Sequence, residues 1–241
     1  MKKSLLTFVI LLIALAGAYA WYKKSLEWGP DNSEQKTEIP ITIASVEINE
    51  ENYTGSRPVI EGSGVLAETV RAYVEGVIAE FATQADLDVP QMRADFGVDA
   101  PAASYSIEMA AAQVESKNTK SIIVSEYVYT GGAHGNSAYK TFTVSKKDGE
   151  VIALGDIVKI DEQESFTALV KEKLLAWRPE LSDGAPVVFE EDVAALTFDS
   201  FQNWSLDDEN LTLYFSQYEV GPGVLGAFAF PIPFSELGLS E

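Results

Sequence analysis

The hydrophobic period of this chain changes only a few times along its length, and the order of those changes is what most constrains the fold. From Val65 to about Thr83, Leu66, Val70, Tyr73, Val74, Val77, Ile78 and Phe81 recur at three- and four-residue spacing, the pattern of an amphipathic helix. Ser63 is its candidate N-cap. A second stripe of Phe166, Leu169, Val170, Leu174 and Trp177 predicts a helix over Asp161–Trp177, capped by Asp161. Strand-like runs surround these helices: Ile39–Ile48, Ser104–Val114, Ile122–Thr130, Tyr139–Val144, Phe198–Trp204, Leu211–Phe215 and Ala227–Pro233. Strands follow strands instead of alternating with helices. That order argues for an α+β fold, an antiparallel sheet with two main helices packed against it, and against a doubly wound one.

The connections carry their own signals. Ser116–Thr119, Lys147–Glu150 and Leu206–Asn210 read as hairpin turns. In Tyr139–Val144, Tyr139, Thr141 and Thr143 should face away from Phe142 and Val144. Asn52–Gly64 reads as loop with a short extended piece at Pro58–Ile60, and Asp86–Pro101, with two prolines, as irregular with a helical turn around Met92. Ile152–Ile157 reads as a short extended return, while Phe189–Leu196 leaves a helical turn open.

Lys2 and Lys3 precede an apolar stretch from Leu5 to Trp21, within which Ala18-Tyr19-Ala20 has the small-x-small form of a cleavage site. Lys23 and Lys24 would equally close a membrane anchor. Residues 1–20 are therefore expected to be a signal peptide or an N-terminal membrane anchor, and both readings place the remainder outside the cytoplasm. Residues 21–38 read as linker, 39–145 as an N-terminal part and 146–241 as a C-terminal companion packed with it. The chain has no cysteine, which rules out a lipid-anchored precursor and a disulfide framework, so packing alone must hold the core. With 17 basic and 37 acidic residues the formal charge is −20, a surface that repels nucleic acid and attracts basic partners.

The single histidine, His134, sits in Tyr127-Val128-Tyr129-Thr130-Gly131-Gly132-Ala133-His134-Gly135-Asn136, where a strand-like run stops at two glycines. One histidine without cysteine does not make a zinc site. Ser137 lies close by, but no Gly-x-Ser-x-Gly context surrounds it. The acidic runs Glu190-Glu191-Asp192 and Asp207-Asp208-Glu209 lack calcium-loop spacing. No catalytic residue, metal site or cofactor is expected. Gly131 and Gly132, with Gly221, Pro222 and Gly223 in the loop Ser216–Gly226, read as structural turn residues; His134, Tyr129 and Tyr139 are the candidate ligand-binding residues.

Tyr127–Asn136 resembles the Gly-Gly-Ala-His segment of a bacterial extracytoplasmic domain of unknown function. Leu211–Leu237, with Tyr214-Phe215-x-x-Tyr218-Glu219-Val220, a glycine-bearing loop and Phe230-Pro-Ile-Pro-Phe-Ser-Glu-Leu237, resembles its companion C-terminal domain. The pair is similar to the extracytoplasmic region of RsiV-type anti-sigma factors, and its first part to the N-terminal region of a peptidoglycan deacetylase. The likeness covers roughly Ile39 to Leu237. It implies an α+β fold and, from the anti-sigma relatives, a lysozyme sensor. The relatives' sigma-holding segment and deacetylase domain are expected to be missing here. The resulting expectation is an exported, non-enzymatic binding or sensor-like module of the cell envelope that recognises a basic protein such as lysozyme, or cell-wall glycan. It would meet the membrane through its N-terminal segment if uncleaved. The alternatives are a small extracytoplasmic hydrolase using His134 with an acidic partner, and an inhibitor of a wall-active enzyme.

Overall fold

In the computed structural model, residues 40–97, 104–179 and 182–237 are described. The N-terminal segment and the linker lie outside them; among the described residues no helix is long and apolar enough to cross a membrane. The fold is mixed α+β, as the order of periods predicts. Strands β1 (Thr42–Asn49) and β2 (Tyr53–Glu61) form an antiparallel hairpin. Helix α1 (Val65–Phe96) then leads to β3 (Tyr105–Glu115), which lies parallel to β2. A helical crossover is the connection a parallel pair requires. β4 (Thr119–Thr130) and β5 (Asn136–Ser145) continue antiparallel, giving the order β1-β2-β3-β4-β5. Beyond them come α2 (Leu154–Ile157), α3 (Gln163–Ala176) and α4 (Glu190–Ala195). A second antiparallel sheet is built from β6 (Trp204–Leu206), β7 (Asn210–Phe215) and β8 (Phe228–Pro233), followed by the turn of helix α5 (Phe234–Leu237).

Several local expectations are corrected. Helix α1 does not stop near Thr83 but runs on through Pro90. Phe81, Ala85 and Val89 carry the buried stripe onward at four-residue spacing, and Pro90 lies on the exposed side. There the carbonyl it leaves unbonded can turn to water. The helix end is also tied down: the Arg93 guanidinium donates to Asn52 Oδ1 at 3.0 Å and to the Glu51 carbonyl at 2.8 Å, and the Tyr105 hydroxyl donates to Asp88 at 2.9 Å. The N-cap is Gly64, at φ 99°, instead of Ser63, and Glu162 instead of Asp161 caps α3. Residues 53–61, read as loop with a short extended piece at Pro58–Ile60, form a full strand. Pro58 lies beyond the stretch Tyr53–Ser56 that pairs with β3, so its missing N–H removes no bond on that side. Leu154–Ile157 is helical, held by the Ala153 N–H donating to Asp156 at 2.7 Å. Phe198–Ser200 is a 3₁₀ turn and the strand begins only at Trp204. The aromatic pattern there serves packing: Phe198 and Phe201 both meet the Phe166 ring, at 5.9 and 5.7 Å.

Each sheet has its own apolar cluster. Helix α1 lays Leu66, Val70, Val74, Phe81, Ala85 and Val89 against Ile107, Met109, Ile122, Val124 and Val144 of the large sheet. Helix α3 lays Phe166, Val170 and Leu174 against Leu211, Leu213, Phe215, Phe230 and Ile232. Trp177 and Phe215 both stack on Phe228, at 4.6 and 5.2 Å. The alternation read in β5 places Phe142 and Val144 against the α1 cluster. Thr141 and Thr143 occupy the opposite face and meet the small sheet at Trp204 through hydrogen bonds. Thr141 Oγ1 accepts the Trp204 N–H at 2.8 Å, the Thr141 N–H donates to Asn203 Oδ1 at 3.2 Å, and Thr143 pairs with Ser121 at 2.9 Å.

Between α1 and the sheet lies a half-buried polar pair. The Tyr73 hydroxyl donates to Glu126 Oε1 at 2.5 Å, and the Tyr73 ring packs edge-on to Phe142 at 5.3 Å. Burial raises the Glu126 carboxyl above its ordinary 4.5, against the Tyr73 hydrogen bond and the attraction of Lys140; burial likewise lowers the Lys140 ammonium, against Glu126. A carboxyl raised in the folded state binds its proton more tightly there than in the unfolded chain. Its contribution to stability is complete below the ordinary carboxylate range and is lost as pH rises through the folded value. The stability advantage of Glu126→Gln over the native chain is therefore expected to grow between pH 4 and pH 7, as read by urea unfolding; parallel curves would refute this. Thr141→Val leaves the buried Trp204 N–H unpaired and is expected to cost about 1–3 kcal/mol, with Thr141→Ser close to native. Equal unfolding midpoints for the two variants would show that the seam contributes nothing.

Candidate functional site

The tip of the β4–β5 hairpin is built around close approaches that only small residues permit. Tyr127 folds over the turn and its hydroxyl accepts the Gly135 N–H at 3.2 Å. A Cβ on Gly135 would lie 2.5 Å from the Tyr127 ring, so no side chain fits there. Gly131 takes φ 80°, in the left-handed region, whereas Gly132 has space around it and its carbonyl accepts the Tyr129 hydroxyl at 2.9 Å.

His134 is exposed, and both of its ring nitrogens have partners. The Gly135 carbonyl, which can only accept, lies 2.9 Å from Nδ1, so the proton is on Nδ1. Nε2 lies 3.0 Å from the Tyr218 hydroxyl, within hydrogen-bond distance. Tyr218 comes from the C-terminal part, at φ 69°, and its ring sits 6.1 Å from the imidazole. A Cβ on Gly223 would lie 2.2 Å from the Tyr218 hydroxyl oxygen, so that glycine makes room for the tyrosine. Gly221 passes close to the Val187 carbonyl, and Pro222 begins the 3₁₀ turn Gly223–Leu225. Gln217 completes the bridge: its backbone N–H donates to the Ser137 carbonyl at 2.9 Å, and its side-chain oxygen accepts the Ser137 N–H at 2.8 Å.

Tyr139 stands apart from this latch, with Tyr214 as its ring partner at 5.2 Å. It lines a cleft of about 340 Å³ on the helix-free face, with Ser56, Glu108, Ala110, Ser125, Tyr127, Ser137 and Ala227. Strand register puts these side chains in two rows, Ser56–Glu108–Tyr127–Ser137 and Ala110–Ser125–Tyr139. Of the three candidate binding residues, His134 and Tyr129 thus share the hairpin tip and Tyr139 forms the cleft wall. Sequence reasoning quoted Gly135 and Tyr218 within motifs without giving either a role at the turn, and it passed over Gln217 and Glu108. Gly135 had a visible signal, directly after the histidine; Tyr218 stood out as a motif residue, but nothing local paired it with His134, which lies far from it in sequence. Among the described residues no group of three or more His, Cys, Asp or Glu could hold a metal ion.

Residues 45–137 match the family model described as deacetylase PdaC, and residues 155–235 match that of a protein of unknown function, DUF3298. The chain is 29% identical over 126 residues to the peptidoglycan-N-acetylmuramic acid deacetylase PdaC of Bacillus subtilis (strain 168). That alignment covers 51% of this chain and 26% of the relative, so the chain spans about a quarter of the relative's length. A DUF3298 family structure from Bacteroides fragilis superposes with a TM-score of 0.55 at 18% identity, covering 82% of this chain and 92% of that one. Another from Pseudomonas aeruginosa PAO1 gives 0.51 at 18%, covering 83% and 92%. These likenesses agree with the resemblance drawn from the motifs: a domain pair similar to the N-terminal region of a peptidoglycan deacetylase.

The His134–Tyr218 latch is expected to couple the two residues energetically. In a double-mutant cycle of His134→Ala and Tyr218→Phe, the coupling should be about 0.5–1 kcal/mol in unfolding free energy. Full additivity would show that the contact carries no energy.

Proposed function

We propose that this chain is an extracytoplasmic, non-enzymatic binding module of the cell envelope that recognises a basic, wall-directed protein such as lysozyme. The observation that carries the reading is the open cleft on the helix-free face, walled by Tyr127 and Tyr139 and bordered by the hairpin tip that bears His134. Tyrosines anchored by neighbouring contacts are suited to interfaces, because they offer large contact area with little side-chain freedom left to lose. The −20 charge favours encounter with a basic protein. The likeness to part of a peptidoglycan deacetylase supports a place at the wall, and the apolar N-terminal stretch supports export. Because the match spans so little of that relative, its reaction is not carried over. The rival hydrolase reading needs His134 free to act as a base beside an orienting acid. The contacts of its ring with a carbonyl and a tyrosine hydroxyl favour the binding reading instead.

Hen lysozyme titrated into the full chain by calorimetry, at low and at physiological salt, tests the reading. Saturable binding that weakens severalfold as salt rises, and weakens further on His134→Ala or Tyr129→Ala, is the expected result. N-acetylglucosamine tetramer serves as the wall-glycan arm. Binding of the tetramer alone would replace the protein partner by glycan, and binding of neither probe would overturn the proposal.

A further inference from the structure

The cleft has a chemistry narrower than that of a general aromatic surface. Its floor is small, made of Ala110, Ser125 and Ser137, with Ala227 at its border. Its one exposed carboxylate, Glu108, is the direct cross-strand neighbour of Tyr127, and Tyr139 stands one row away. Glu126 turns its carboxyl to the opposite side, toward Tyr73, so it does not compete for a ligand in the cleft. No lysine or arginine lines the cleft among the described residues, and none forms an ion pair with Glu108. An anionic side chain beside two tyrosines, on a floor too small to fill the space, suits a cation carried on a long apolar stem. The methylenes would lie over the alanines, and the charged head would meet the carboxylate and the electron-rich ring faces.

We propose that this cleft is a subsite for a cationic side chain, an arginine guanidinium or a lysine ammonium, presented by the protein partner. The inference deepens the binding reading above and rests on it. It gives the diffuse negative charge of the chain a defined point of contact.

N-acetyl-arginine amide is the probe, with the citrulline analogue as a neutral isostere, each titrated into the ¹⁵N-labelled full chain and followed by amide shifts. The arginine compound is expected to move the amides of Glu108, Ser125, Tyr127 and Tyr139 in a saturable, salt-sensitive way, and citrulline to leave them still. Glu108→Gln lies on an exposed position and should weaken the response about threefold to tenfold. Tyr139→Leu should weaken it as well, with the dispersion of its own spectrum reporting that it folds. Equal responses to arginine and citrulline, shifts confined to other regions, or an unchanged Glu108→Gln variant would overturn the subsite. N-acetylglucosamine tetramer moving the same amides independently of Glu108 would also overturn it, as a saccharide site. Lysozyme binding that ignores Glu108→Gln would leave the binding module standing and remove the subsite. Arginine shifts in the cleft without lysozyme binding would keep the subsite and remove lysozyme as the partner.

Discussion

The structure depends on the hydrogen-bonded seam between the two sheets. Thr141 and Thr143 sit on the face of β5 that α1 does not cover, and both are almost fully buried. A threonine can occupy such a place only if its hydroxyl and the neighbouring backbone are satisfied. Ser121 satisfies Thr143 from within the large sheet, and Trp204 and Asn203 supply the bonds across the seam, so the small sheet docks at one register on the large one. Hydrogen bonds specify direction where apolar contact would tolerate sliding.

That docking decides what remains open. Strand β6 covers the end of the helix-free face around Ser121 and Thr143, and the other end, around Ser125, Tyr127, Ser137 and Tyr139, is left as the cleft. The loop after β7 reaches the hairpin tip at Gln217 and Tyr218, fixing the border of that opening. The signature turn therefore joins the two parts of the molecule. Its glycines permit the fit, its tyrosines hold the turn itself, and its imidazole meets Tyr218 of the loop.

Much of the fold was legible because period follows burial. The first-helix stripe, the β3–β4 hairpin, strand β7 and the two-faced character of β5 all follow from which residues must leave water. The misreadings have specific causes. Pro90 and the polar residues around it suggested a break, yet Ala85 and Val89 kept the buried stripe continuous. The aromatic run from Phe198 looked like a strand because aromatic residues favour strands, but those rings serve contacts with Phe166. The β2 strand was hidden by its proline and glycine, whose placement makes sense only once β3 is seen beside part of it.

The candidate site divides along the same line. By itself the sequence determined that a specified glycine turn carries the only histidine, that the core holds without disulfides, and that the chain is strongly acidic, because these are properties of residue type and local order. Only the tertiary structure decided that His134 meets Tyr218, that Gly135 lies under Tyr127, and that Glu108 shares a cleft with Tyr139. Those pairings join residues from separate strands and loops, and no local period encodes them; they exist because strand register and the docking of one sheet on the other bring distant positions to the same face.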